Sequence, residues 1–166
     1  KSGMNIMKVS VIIPSLNPDN KLVAVVDALL EEGFKDIIIV NDGSDEEHMA
    51  PFNEVAAHSE CTILTHEVNK GKGRGLKTAF EFCLENRKDI DGVVTVDGDN
   101  QHRAKDIKKC SETMVGTGNV VLGVRDFTGD DVPARSKFGN NMTSGVFKVL
   151  CRLNISDTQT GLRAIP

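Results

Sequence analysis

The segment GVVTVDGDNQH, residues 92–102, puts chemistry at the end of an apolar run. Asp97 and Asp99 stand one residue apart, and two carboxylates brought together repel unless a cation offsets their charge. If the extended geometry of the run persists, both side chains point to one side, and Gln101 extends the alternation with a neutral oxygen. Hard oxygen donors of this kind suit Mg²⁺ or Mn²⁺, which keep waters and also bind substrate phosphates. The competing reading is a plain turn, because Asp and Asn are favoured there for their bonds to backbone.

Other short motifs narrow the choice. An EF-hand loop starting at Asp97 needs Gly where His102 stands and Glu where Lys108 stands. GKGRGLKT lacks the spacing of a P-loop, and Leu76 occupies the third glycine position of G-x-G-x-x-G. What remains is a basic loop, Lys70, Lys72 and Arg74, entering a helix N-terminus, a place that favours anions. By itself such a loop is more often a solvated surface feature.

These residues need elements to position them. Apolar runs at 8–14, 36–42, 61–67, 91–99 and 119–125 read as strands. Between them lie helical patterns. Leu22, Val25, Val26, Leu29 and Leu30 make one face, ended by Gly33, and a weaker helix covers about 45–58. Leu76, Ala79, Phe80, Cys83 and Leu84 make another face, followed by Ile107, Cys110 and Met114. After the polar loop DFTGDDVPA, a last helix is marked by Phe138, Met142, Val146, Val149 and Leu150.

The strands are rich in Val and Ile throughout instead of alternating with polar residues, as happens when helices cover both sheet faces. The alternation predicts an α/β domain with a mostly parallel sheet. Ligands of such sheets bind beyond the carboxyl ends of the strands. There the polar residues collect: Pro14 and Asn17, then Asn41, Asp42 and Ser44, then Asn69, Lys70 and Lys72, then Asp97 and Asp99, and finally Arg125.

Composition sets the bounds. A chain of 166 residues with 39% hydrophobic and 27% charged content fits one soluble domain, taken as residues 4–166, with residues 1–3 ahead of Met4 set aside as a remnant. No apolar run approaches about 18 residues, so no transmembrane helix is expected, and no signal peptide is visible. A net charge of −4 argues against a general nucleic-acid binder. Cys61, Cys83, Cys110 and Cys151 are widely spaced and read as reduced thiols of a cytosolic domain. Trp and Tyr are absent, which removes the residues most used to stack on a base or sugar.

The ordered segments VSVIIPSLN, IIIVNDGSDE, NKGKGRGLKTAF, VVTVDGDNQH, VLGVRDF and ISDTQTGLRAIP resemble the family 2 glycosyltransferases of the GT-A fold, over nearly all of residues 8–166. The resemblance implies a Rossmann-like three-layer sandwich. DGDNQH, RSKFGNNMTS and DTQTGLRA are similar to a narrower group, the polyprenyl-phosphate (dolichol-phosphate-type) sugar transferases, including those followed by a GtrA-like membrane domain. Such proteins take a nucleotide-diphosphate sugar donor and Mg²⁺ or Mn²⁺, invert the anomeric centre, and deliver the sugar to a lipid phosphate at the cytoplasmic membrane face.

Site roles follow from the resemblance. Asp97, Asp99 and Gln101 would hold the metal against the diphosphate, with Asp97 also touching the donor. Asp42 matches the carboxylate that meets the nucleobase, and Pro14, Leu16 and Asn17 match the loop beside the nucleoside. Lys70 is counted with the donor site. Arg125, Arg135 and Ser136 match residues that meet donor or acceptor phosphates, where a guanidinium fork suits phosphate oxygens. Asp99, Arg125 and Asp157 form the expected catalytic group, Asp157 on the acceptor side. Transfer to a lipid phosphate needs no general base, because its oxygen is already anionic near neutral pH.

Some positions depart from the family pattern. Leu16 stands where many relatives carry an aromatic residue, Asn41 replaces the first of two usual aspartates, and Arg103 and Ala104 stand near a common proline. The chain ends after TQTGLRAIP, ahead of the part that would complete the acceptor side and lead to membrane helices. Two alternatives stay open: a sugar nucleotidyltransferase, which would need a Gly-rich basic loop where SLNPDN stands, and a non-catalytic nucleotide-sugar-binding module.

Overall fold

The computed structural model of the protein describes residues 8–123 and 161–166. Its elements in chain order are β1 (Val9–Ser15), α1 (Lys21–Glu31), β2 (Ile37–Asp42), α2 (Ala50–Val55), β3 (Cys61–His66), α3 (Lys72–Asn86), β4 (Gly92–Thr95), α4 (Ala104–Thr117), β5 (Val121–Leu122) and β6 (Arg163–Ile165). They build one sheet in the order β3-β2-β1-β4-β6-β5. β1 to β4 run parallel, and β6 lies antiparallel to both β4 and β5. The expected mostly parallel α/β sheet is the one observed.

The Val/Ile-rich strands have the predicted cause. Side chains along a strand alternate between faces. Val11, Ile13, Ile37, Ile39 and Val94 pack with Leu22, Val26, Leu29, Phe52, Ile107 and Met114, the layer of α1, α2 and α4. Ile12, Ile38, Val40 and Val93 pack on the opposite side with Ala79 and Cys83 of α3. Both faces are covered, so no strand position from Val9 to Ile13 has to be water-compatible, and even Ser10 is buried.

Four details differ from the sequence pattern. β4 stops at Thr95 instead of running through 99, because the chain leaves the ladder for a turn at Gly98 and Asp99. The stretch 45–58 splits into a short 3₁₀ turn, Glu46–His48, and α2, since Pro51 in the first turn has no N–H to continue a preceding helix. Leu84 is 79% exposed among the described residues. The buried stripe of α3 is instead Gly75, Ala79 and Cys83, small residues that let the helix lie close to β1 and β2. Finally, β6 inserts between β4 and β5, so β5 does not neighbour β4.

The last helix and the end of the fifth strand lie outside the described residues. Cys61, Cys83 and Cys110 are free thiols, each pushed above its ordinary pKa by burial, Cys61 to about 11. Among the described residues, no helix is long and apolar enough to cross a membrane.

Ile39 lies at the sheet centre with no exposed surface. Ile39→Ala should lower unfolding free energy by about 2–5 kcal/mol and Ile39→Val by about 0.5–1.5 kcal/mol, read from denaturant midpoints. An alanine variant costing under about 1 kcal/mol would contradict a close-packed site.

Candidate active site

Because β1 to β4 are parallel, their carboxyl ends share one edge, and the loops that follow meet there. A cavity of about 440 Å³ opens at this edge, lined by residues 14–19, Lys21, Lys72 and residues 97–99. A second, of about 280 Å³, adjoins it and shares Pro14, Lys72 and Asp97, adding Leu76, Thr95, Gly161 and Arg163. Asp97 and Lys72 therefore stand where the two hollows meet.

Asp97 and Asp99 both face the larger cavity, as the spacing led one to expect, but strand alternation is not what brings them there. The turn after β4 does, with Asn100 in the left-handed region at φ 64° and the Gln101 N–H donating to Asp99 Oδ1 at 3.2 Å. Gln101 is exposed and stands outside the cavity lining, so the alternation that would have grouped it with the two aspartates does not hold.

Lys72, the first residue of α3, sends its ammonium onto Asp97 Oδ1. Here the loop's basic character reaches the site through Lys72 and not through the side chain of Lys70, which lies outside the lining. Among the described residues, no group of three or more His, Cys, Asp or Glu could cage a metal. The donor set is two carboxylates with a cation already drawn to one of them. That fits Mg²⁺ or Mn²⁺ held by few carboxylates and completed by water and phosphate.

Gly161 shapes this centre. A Cβ there would collide with the Asp97 carboxylate, so the bare glycine leaves Asp97 its place. Thr95 Oγ1 donates to the Gly161 carbonyl at 2.8 Å and fixes that approach. Neither contact is visible in the sequence, where 161 and 97 are far apart.

The first loop is tied to the second. Asn17, at φ 48°, donates its N–H to Ser44 Oγ at 2.8 Å and exchanges side-chain bonds with Asp45 at 3.0 and 2.9 Å. Asn41 is buried and accepts from the Ser44 N–H at 2.9 Å. Leu16 is half-exposed at the cavity, and Pro14 lines it beside the ion pair.

Asp42, the carboxylate matched to the nucleobase contact, stands outside the lining of both hollows. It is 3% exposed. Its Oδ1 accepts from His66 Nδ1 at 2.7 Å and the Lys70 N–H at 2.9 Å, and its Oδ2 accepts from the Gly71 N–H at 2.8 Å. Both oxygens are engaged within the chain, and Asp42 braces the loop before α3. Burial pushes the carboxyl pKa up, but the His66 bond, the two backbone bonds and the His66 charge outweigh it and hold the pKa below 3.8. Arg125, Arg135, Ser136 and Asp157 lie outside the described residues.

The family model of glycosyl transferase family 2 matches residues 10–162. The chain belongs to glycosyl transferase family 2. Among the curated relatives, a UDP-N-acetylglucosamine–dolichyl-phosphate N-acetylglucosaminyltransferase of Methanococcus voltae is 28% identical, over 92% of this chain and 67% of its own. Glycosyltransferase AglJ of Haloferax volcanii is 22% identical, over 94% of this chain and 49% of its own. The chain spans between 49% and 67% of the length of the curated relatives it matches.

Solved structures agree on the fold. Glucosyl-3-phosphoglycerate synthase of Mycobacterium tuberculosis, in complex with Mn²⁺, UDP and glucosyl-3-phosphoglycerate, superposes with a TM-score of 0.72 at 16% identity, covering 96% of this chain and 56% of that one. A mannosyltransferase of Pyrobaculum calidifontis, in complex with GDP-Man and Mn²⁺, gives 0.58 at 19% identity, covering 74% and 37%. The family 2 chain has the GT-A fold of these enzymes.

The low Asp42 pKa has a stability consequence. A carboxyl whose folded pKa lies below its unfolded value stabilises fully above the unfolded value and loses that contribution as pH falls through the folded one. Asp42→Asn should cost roughly 2–3 kcal/mol at neutral pH. The gap from wild type should close as pH drops below about 4 in denaturant titrations. A gap that stays constant down to pH about 2 would contradict the bonding described.

Proposed function

We propose that this chain is the catalytic part of an inverting glycosyltransferase that moves a hexose from a nucleotide-diphosphate sugar to a polyprenyl phosphate or similar anionic acceptor. The observation that carries the reading is the meeting of Asp97, Asp99 and Lys72 at one cavity on the carboxyl edge of the sheet. The dolichyl-phosphate relative, and structural neighbours solved with Mn²⁺ and GDP-Man or UDP, support it.

Breaking the bond between sugar and diphosphate builds negative charge on the departing nucleoside diphosphate. Cations fixed against that charge lower the barrier without a covalent intermediate. Asp97 and Asp99, with Gln101 drawn in from the turn, would hold Mg²⁺ or Mn²⁺, which supplies charge neutralisation at the diphosphate. Lys72 is a cation of the chain at this place, and its ammonium can pass from Asp97 to a phosphate oxygen. Pro14 and Leu16 offer an apolar wall to the nucleoside, with Asn17 holding their loop against Ser44 and Asp45.

The acceptor oxygen, already anionic, attacks from the side opposite the leaving group, which inverts the anomeric centre. Arg125, Arg135 and Ser136 are assigned to the phosphates and Asp157 to the acceptor side. A lipid-phosphate acceptor places the reaction at the cytoplasmic membrane face.

A screen of UDP- and GDP-sugars by thermal shift tests this reading. A ligand at a hundred times its Kd adds about 2.7 kcal/mol, worth roughly 5–10 °C in a domain of this size. The matching donor should give that shift only with Mn²⁺ or Mg²⁺, and Asp99→Ala should abolish it. Equal, metal-independent shifts in both proteins would overturn the role of Asp99.

Gly161→Ala gives a second check. Its Cβ displaces the carboxylate end of a partly exposed side chain, so Tm should move by no more than about 3 °C. Metal-dependent donor affinity should fall at least about tenfold. Unchanged affinity would show that the position of Asp97 does not matter.

A further inference from the structure

Asp42 has a partner that the spacing of motifs does not reveal. In the parallel register of β2 and β3, Asp42 pairs directly with His66. The two side chains are only 5% and 7% exposed. His66 Nδ1 lies 2.7 Å from Asp42 Oδ1, and His66 Nε2 lies 2.9 Å from Thr78 Oγ1 on α3. An ionised carboxylate only accepts, so Nδ1 carries a proton and donates, and the Thr78 hydroxyl satisfies the other nitrogen. The imidazole is held at both ends.

From Asp42 the contacts run on into the site. Its oxygens take the Lys70 and Gly71 N–H groups, at the turn where Gly71 sits at φ 87°. Gly71 has no side chain to cap α3, so a carboxylate from a neighbouring strand holds the turn in its place. The next residue is Lys72, whose ammonium reaches Asp97. A continuous path therefore leads from the body of α3, through Thr78, His66 and Asp42, to the first residue of the same helix and on to the cavity.

We propose that His66 is a positioning residue of the donor site: it braces Asp42, which fixes the 70–71 turn and so delivers Lys72 to the diphosphate. The proposal rests on reading the cavity as a donor site. A histidine that merely fills space would be replaced equally well by any polar residue of similar size. A brace would not, because its two nitrogens do different work. His66→Asn keeps an N–H donor at the place of Nδ1 and loses the Thr78 bond. His66→Gln keeps a polar end near Thr78 and loses the bond to Asp42.

The test compares amide hydrogen exchange of the ligand-free protein by NMR with donor binding. In His66→Gln the Lys70 and Gly71 amides should exchange about thirtyfold faster, relative to Ile12 and Val94 in the central strands, the size expected for losing a bond to a charged group. His66→Asn should restore both amides to within about threefold of wild type. Affinity for the UDP- or GDP-sugar that stabilises wild type with Mn²⁺ should follow the same order, at least about tenfold weaker in the glutamine variant and restored in the asparagine variant.

His66→Leu removes both bonds and should move the same amides in the same direction as His66→Gln. It carries the test if His66→Gln does not fold. Unchanged protection of Lys70 and Gly71 in His66→Gln or His66→Leu overturns the brace, and so does an equal loss of donor affinity in the asparagine and glutamine variants. If wild type binds none of the nucleotide sugars, the donor-site reading falls, and the exchange experiment still decides whether His66 holds the turn.

Discussion

Carboxylates at the end of a buried strand must find positive charge, and the layout of this domain follows from where each finds it. Asp97 and Asp99 follow β4, and among the described residues the Gln101 N–H donates to Asp99. Lys72 is the cation that answers Asp97 in the protein alone. An ion pair that is 55% exposed on its lysine side contributes little to folding, because solvent screens it. The same exposure lets the ammonium exchange partners.

The sheet makes that meeting possible. Parallel pairing puts the carboxyl ends of β1 through β4 on one edge, with the β1–α1 loop, the α3 N-terminus and the turn after β4 side by side. The antiparallel β6 then enters beside β4 and brings Gly161 and Arg163 to the same edge. A parallel strand at that place would present its carboxyl end instead. The reversal lets a segment far along the chain close the second hollow, and Gly161 does so without a side chain that would push Asp97 aside.

Much of this was legible in the sequence, for a reason that also explains the exceptions. The Val/Ile runs and the i, i+4 stripes are local signals, and they place β1 to β4, α1, α3 and α4 correctly. The end of β4 was not legible, since Val-Thr-Val-Asp continues a pattern that the backbone has already left. β6 covers three residues, too few for a period to register. Leu84 satisfied the helical stripe while the close contact of α3 with the sheet was reserved for small residues beside it. The pairing of Asp42 with His66 depends on the register of two strands, which no local pattern encodes.

Two aspartates of the site show how environment, and not residue type, assigns the work. Asp42 is buried and takes three hydrogen bonds from its own chain, two on Oδ1 and one on Oδ2. Asp97 is 27% exposed and meets a lysine that can move. Its bond can be traded for another cation at small cost, whereas breaking those of Asp42 would release the 70–71 turn and carry Lys72 away from the cavity. The sequence shows both as acidic residues at strand ends. Burial and bonding separate them into one that supports the loop and one that lines the cavity.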